Sequence, residues 1–191
     1  MSVSVFDLMK IKPVIFLFAL LVASAGFAQR IQYEGSWRPT FAIRQSASTE
    51  DYMLGFAIGV STPERNLIGY GSFDFRPYRK KIQENQYANF YHQYAERRFF
   101  TGLGVEYLHR LNDRNRGVFV NLNGNYTWGN YGGTFRKPQK GFNVVPRAGF
   151  FMSFFQRTTF LKLGYEYLDT KSNVLEHRLF FSVVGVIGKM E

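Results

Sequence analysis

The chain has 191 residues, a formal net charge of +10, 46% hydrophobic and 18% aromatic residues, and no cysteine. The missing cysteine excludes a disulfide framework and a lipid-anchored thiol, and the length suits a single folded domain. A basic balance of this size fits either nucleic acid or a phosphate-bearing membrane surface, and the first segment of the chain decides between them.

Residues 1–28 read as a secretory signal peptide. Lys10 and Lys12 precede an apolar run from Val14 to Ala23, and small residues follow at Gly26 and Ala28. The run is shorter than the roughly 18 apolar residues a spanning helix needs. Cleavage after Ala28 leaves residues 29–191 as the folded domain, still strongly basic. An exported protein rarely meets nucleic acid, so no nucleic-acid partner is expected and the anionic neighbour is a lipid headgroup.

From there the side chains alternate with period two in eight segments of similar size, the pattern of strands with two different environments on their faces. The first is Tyr33 to Gln45, the second Tyr52 to Ser61 and the third Leu67 to Arg79. The fourth and fifth form a hairpin within Arg97 to Trp128. Pairing Leu111 with Arg116 sets Tyr107 opposite Val120, Val105 opposite Leu122 and Glu106 opposite Asn121, matching both faces at once. The sixth is Phe142 to Phe154, the seventh Phe160 to Tyr167 and the eighth Leu175 to Ile187. Connections at Thr62 to Asn66, Asn112 to Asn115 and Gln156-Arg157 are short, whereas Lys80 to Glu96 and Gly129 to Lys140 are long. Short turns alternating with longer loops describe an all-β, up-and-down antiparallel barrel of eight strands.

The same alternation suits a soluble lipid-carrying barrel with its apolar face inward. Two features favour the membrane version. Aromatic residues stand near the ends of the apolar rows, as at Tyr52, Phe99, Tyr107, Trp128, Tyr165 and Tyr167, and the polar rows mix glycines with few charges of both signs. With the faces reversed in a bilayer, Arg147 and Lys162 would meet lipid at about 2 to 4 kcal/mol each near the midplane. Pro39 and Pro146 each remove a ladder donor, so a bulge or a bound water is expected at both.

The signal peptide, the eight segments and the run VVPRAGFFMSFFQRTTFLKLGYEY from Val144 to Tyr167 together resemble the family of small outer-membrane β-barrel proteins, which includes the barrel of outer-membrane protein A and its short-looped relatives. The resemblance implies a location in the cell outer membrane and assembly by the outer-membrane assembly machinery. Such barrels usually end on an aromatic, whereas here Ile187 is followed by Gly188-Lys189-Met190-Glu191. The assembly signal is then imperfect or lies further inside, at Phe180 and Phe181.

An eight-stranded barrel has an interior just wide enough for side chains. Extending the pairing puts Arg147 opposite Glu166 and Glu166 opposite Arg178, a lumen charge cluster joined by Glu106, Asp74, Arg76 and Arg38. Its expected role is to satisfy buried charges, with a gate as the sharper alternative. The inward row of the second segment, Met53, Gly55, Ala57, Gly59 and Ser61, leaves room for Arg38 or another long side chain, or for a small ligand. No nucleophile, base and acid fall within reach of one another around His92, His109 or His177, so no catalytic residue, metal or cofactor is expected. In the long loop, Tyr87, Phe90, Tyr91 and Tyr94 fall at helical spacing between Arg79-Lys80-Lys81 and Arg97-Arg98. They predict a short amphipathic surface helix that meets lipopolysaccharide phosphates or docks a surface partner. The functional expectation is a non-enzymatic outer-membrane barrel with a structural, envelope-integrity or adhesive role. A narrow channel or solute binder is the alternative, and a lipid-modifying enzyme the third.

Overall fold

A strand that alternates apolar and polar residues gains most when a neighbour buries the polar face and the apolar face meets hydrocarbon. The computed structural model shows that solution. It describes residues 37–87, 90–111, 115–132, 140–155, 158–169 and 176–187, with 82–94 described as backbone. The expected signal peptide, Tyr33 to Ser36, most of the tight turns, most of the loop from Gly129 to Lys140 and the last four residues lie outside them.

Among the described residues there are nine strands: β1 (Arg38–Ala47), β2 (Tyr52–Ser61), β3 (Leu67–Phe75), β4 (Lys80–Tyr87), β5 (Phe90–Arg110), β6 (Arg116–Gly132), β7 (Gly141–Phe154), β8 (Thr159–Tyr167) and β9 (His177–Val186). All pairings are antiparallel, β1 closes onto β9, and β3 pairs directly with β5, so eight strands make the barrel and β4 stands outside it. The central hairpin has the register its two faces dictate. Leu111 donates to the Arg116 carbonyl at 3.1 Å, and Tyr107, Val105 and Glu106 face Val120, Leu122 and Asn121.

The stagger of the barrel is legible from the pairs. Phe151 faces Lys162, then Ser182, Arg44, Gly55, Asp74, Phe100, Thr127 and finally Gly141, back on the strand where the row began. One circuit therefore climbs ten residues along β7. Tilted strands follow from that stagger, and with eight of them the interior is filled by side chains alone.

The outer face is apolar and open, with Leu103 at 76%, Phe142 at 81% and Phe150 at 70% exposure, while Arg147 and Lys162 are inward and buried. An apolar surface this extensive on a barrel whose buried face is charged excludes the soluble carrier. At the short-turn end the lumen is closed by Ile68, Leu108, Phe119, Phe151, Phe160, Val184 and Val186.

Three expectations are corrected. The third segment ends at Phe75, and β4 and the first half of β5 form a β-hairpin where the aromatic spacing of Tyr87, Phe90, Tyr91 and Tyr94 predicted a helix. Tyr87 pairs with Phe90 across its tip, with an irregularity between Asn85 and Tyr87. An isolated helix this short is unstable in water, whereas the hairpin extends an existing ladder and suits Tyr, Phe and Ile. The prolines need no bulge. The β1–β2 and β6–β7 registers run through Pro39 and Pro146 unbroken. Each proline sits one residue beyond the end of its other ladder, where β1–β9 begins at Thr40 and β7–β8 at Arg147. The missing donor thus falls where no partner strand calls for it.

Gly149 faces Gly164 so closely that a Cβ on Gly149 would stand 2.2 Å from the Leu163 carbonyl oxygen and 2.4 Å from the Gly164 Cα. Because the obstacle is backbone, Gly149→Val is expected to abolish the folded, fast-migrating band on unboiled gels after refolding into lipid. Gly69→Ala, with nothing within 4 Å of the added carbon, is expected to leave it unchanged.

Candidate functional site in the barrel lumen

One register row carries Glu106, Asn121, Arg147, Glu166 and Arg178 across β5 to β9. All five are inward and no more than 5% exposed. Charges at that depth need partners, because an unpaired ion in a low-dielectric interior costs several kcal/mol, roughly. Arg147 donates through Nε to Glu166, and its Nη2 lies 3.9 Å from Asp74. Lys162 Nζ donates to Glu106, which also accepts from Asn121 Nδ2 at 3.3 Å. Tyr70 bonds Asn121 at 2.8 Å. Aromatic faces complete the cations' surroundings: Arg147 lies 4.9 Å from the Phe180 ring, Arg44 5.3 Å from Tyr70 and Lys162 5.9 Å from Phe119.

Arg44 was outside the expected cluster yet belongs to it, donating to Asp74 through Nε at 3.2 Å and through Nη2. Arg44, Gly55 and Asp74 share one row on β1, β2 and β3. A Cβ on Gly55 would stand 1.8 Å from Asp74 Oδ1, so the glycine is what lets the two side chains meet across a strand. The signal was in the sequence, since Arg44 lay on the polar row of the first segment opposite a run of small residues.

That run leaves no ligand groove. Tyr70 and Asp74 of β3 lie over Gly59 and Gly55. What remains near them is a cavity of about 20 Å³ lined by Arg44, Ala57, Tyr70, Glu106, Asn121 and Lys162, and another of about 10 Å³ beside Arg147 and Glu166. Each has room for about one water. Arg38 does not fill the space. It begins β1 opposite Ser61, at the short-turn end of the same climbing row that passes Ile68 and Glu106 and reaches the mouth only at Arg178.

A second charged group closes the barrel mouth beneath the long loops. Asp51, in the β1–β2 connection, accepts from Arg76 Nε at 2.6 Å and Nη2 at 2.8 Å, from Arg178 Nη2 at 2.5 Å and from the Tyr78 hydroxyl at 2.9 Å. Arg76 Nη1 reaches Glu96 at 2.7 Å, and Arg98 Nε reaches the other Glu96 oxygen at 3.1 Å while its guanidinium lies 5.5 Å from the Tyr131 ring. The side chains of Asp51, Arg76, Glu96, Arg98 and Arg178 are 0% exposed. Arg178 thus shares Glu166's row but turns its charge to Asp51. Asp51, Glu96 and Arg98 were not foreseen, because they sit in a connection and in what read as loop. Burial alone would push the Asp51 carboxyl up. The hydrogen bonds and charges of Arg76 and Arg178 outweigh it and hold the group at about 2.

His109 and His177 stand apart from both groups. His109 is exposed on the outer face, and His177 bonds Tyr165 there with its ring 5.6 Å from Tyr167. Among the described residues no three His, Cys, Asp or Glu could hold a metal ion.

Closed antiparallel strands, an apolar exterior and an ion-paired interior define a transmembrane β-barrel of eight strands. Similar solved structures include neisserial surface protein A, with a TM-score of 0.44 and 13% identity over 78% of this chain and 93% of that one. Ail, the attachment invasion locus protein of Yersinia pestis, was solved in complex with the heparin analogue sucrose octasulfate. It matches at a TM-score of 0.42 and 13% identity over 81% of this chain and 97% of its own. Its structure in a phospholipid bilayer nanodisc matches at 0.39 and 15% identity, over 78% of this chain and 99% of that one. No protein-family model and no curated protein matches the sequence.

Removing one partner of a buried pair strands the other. Glu166→Ala is expected to lower stability by about 3 to 5 kcal/mol in urea unfolding from lipid bilayers, and the double change with Arg147→Met is expected to recover most of that loss. Asp51 has a folded pKa below its unfolded value of 3.8, so its contribution is present above about pH 4 and lost as pH falls toward 2. Acid titration of stability is expected to show a loss of about 2 kcal/mol in that window, and Asp51→Asn to flatten it.

Proposed function

We propose that this protein is a non-enzymatic outer-membrane barrel, exported through residues 1–28 and inserted by the outer-membrane assembly machinery, that serves envelope integrity or surface adhesion through its long-loop end. One contrast carries this reading: the conduit is closed while the structure beyond the membrane is built up. The lumen holds side chains from the apolar plug to the buried mouth. Meanwhile β5 has 21 residues and β6 has 17, where a membrane-crossing strand needs about 9 to 11. Their excess, with β4, forms a blade at the long-loop end, three strands wide at Ala95 and Glu96 and two beyond, and it is the part of the molecule suited to contact a surface partner. A non-enzymatic role is supported by the outward His109 and His177, neither of which meets a serine and an acid.

A narrow conduit is the second reading. It is favoured by Arg44 Nη1, Glu166 Oε1 and two nitrogens of Arg178, which are buried without a hydrogen-bond partner and offer alternative pairings. Single-channel recording in planar bilayers separates the two, because the closed lumen predicts no resolved conductance steps.

For the first reading, outer-membrane extracts are expected to contain the protein in a form that migrates faster unboiled than boiled. Replacing Lys81 to Ala95 by a short Gly/Ser linker, which spares Arg76, Glu96 and Arg98, is expected to keep that shift while abolishing binding to host-cell or abiotic surfaces. Retained binding would place the contact elsewhere.

A further inference from the structure

The exposed cations at the base of the blade are not spread evenly around the barrel. Lys81 pairs with Ala95 on the outward face of the β4–β5 ladder, and Arg97 shares that face two residues above Phe99. Arg79 Nη1 lies 4.0 Å from where a Cβ on Gly132 would sit, which places it on the same face, since Gly132 pairs with Ala95. All three side chains are exposed. Lys140, also exposed, precedes β7 at the register position next to Trp128 and continues the arc. Lys80 is different: it turns inward and reaches Glu50, with Nζ 2.7 Å from its carbonyl oxygen and 3.6 Å from its carboxylate.

Directly beneath this arc is a continuous aromatic stack on the lipid face. The rings of Phe56 and Phe73 are 5.5 Å apart, those of Phe73 and Phe99 6.1 Å, and those of Phe99 and Trp128 4.5 Å. Below the stack run Leu103, Val105, Leu122 and Val144, all exposed. Among the described residues, no carboxylate shares the outward face of β3, β5, β6 and β7 at this end, and no lysine or arginine stands on the outward face of β1, β2, β8 or β9.

We propose that Arg79, Lys81 and Arg97, with Lys140 at the edge, form a binding site for a multiply phosphorylated glycolipid of the lipopolysaccharide type. The proposal rests on the reading that the long-loop end faces outward. A free anion would need only the cations, whereas a lipid also uses the aromatic ledge at headgroup depth and the apolar strip for its acyl chains. The cations lie on β4, on β5 and before β7, and adjacent strands are about 4.8 Å apart, so the arc is wider than one phosphate and suits a headgroup carrying two. Arginine and lysine side chains above a membrane interface reach such phosphates without moving the backbone.

The test uses the full barrel in zwitterionic detergent, titrated with bisphosphorylated lipid A and followed by tryptophan fluorescence. Saturable binding is expected for the wild-type protein, with the triple variant Arg79→Gln, Lys81→Gln, Arg97→Gln about a hundredfold weaker and Lys80→Gln unchanged. Unaltered affinity in the triple variant would overturn the site. So would phosphatidylglycerol binding as tightly as bisphosphorylated lipid A, which would make the arc a general phospholipid contact. Inorganic phosphate competing at equal concentration would overturn the lipid assignment. The heat shift of the same samples reports the barrel separately: its absence in the wild type would overturn the membrane reading and the site together, while its presence with no lipid binding would overturn the site alone.

Discussion

Hydrocarbon offers no partner to a backbone amide, so a chain that crosses it with strands must close the sheet upon itself. Here closure is the pairing of β1 with β9, from Thr40 with Val186 to Ala47 with Leu179. Everything else in the molecule answers to that constraint. Eight strands with a stagger of ten residues leave an interior of fixed width, and whatever lines it must fill it and satisfy its own charges. Small residues appear where two long side chains must meet, as Gly55 does between Arg44 and Asp74. Prolines fall where a ladder has already ended.

The filling is graded along the axis. Aromatic and aliphatic side chains close the short-turn end, the middle holds Arg44, Asp74, Arg147 and Glu166 beside Lys162 and Glu106, and the mouth is sealed by two carboxylates shared among three arginines. The middle pairs hold the barrel wall in register from inside. The mouth group does a different job: it ties the β1–β2 connection to the end of β3, the start of β9 and the root of the blade. Through Glu96 and Arg98 the extension is fastened to the membrane part by buried charge as well as by its ladder. The blade is therefore held at a defined angle to the membrane part.

The outer face shows how the same alternation serves two media. Residues of one parity on β5 and β6 run from Val105 and Leu122 in hydrocarbon, through Phe99 and Trp128 at headgroup depth, to Arg97 above them. The apolar, aromatic and cationic zones follow the polarity gradient of a bilayer leaflet.

Period-two patterning determined which residues share a face of each strand, because successive side chains on a strand cannot avoid opposite sides. Short turns determined the register of neighbouring strands, which is why Glu106 with Asn121 and Arg147 with Glu166 could be paired from the sequence, and centring the longer β8–β9 connection on Ser172 extended the row to Arg178. Only the tertiary structure decided what non-local closure sets: the stagger that brings Arg44 level with Asp74 and keeps Arg38 at the short-turn end, the turn of Arg178 toward Asp51, and the approach of Asp74 to Arg147 from β3 to β7. The stretch from Lys80 to Arg98 is the clearest case. Its aromatic spacing fits one face of a helix, but its neighbours in the barrel offered a ladder to extend, and a ladder satisfies backbone groups that a short isolated helix leaves to water.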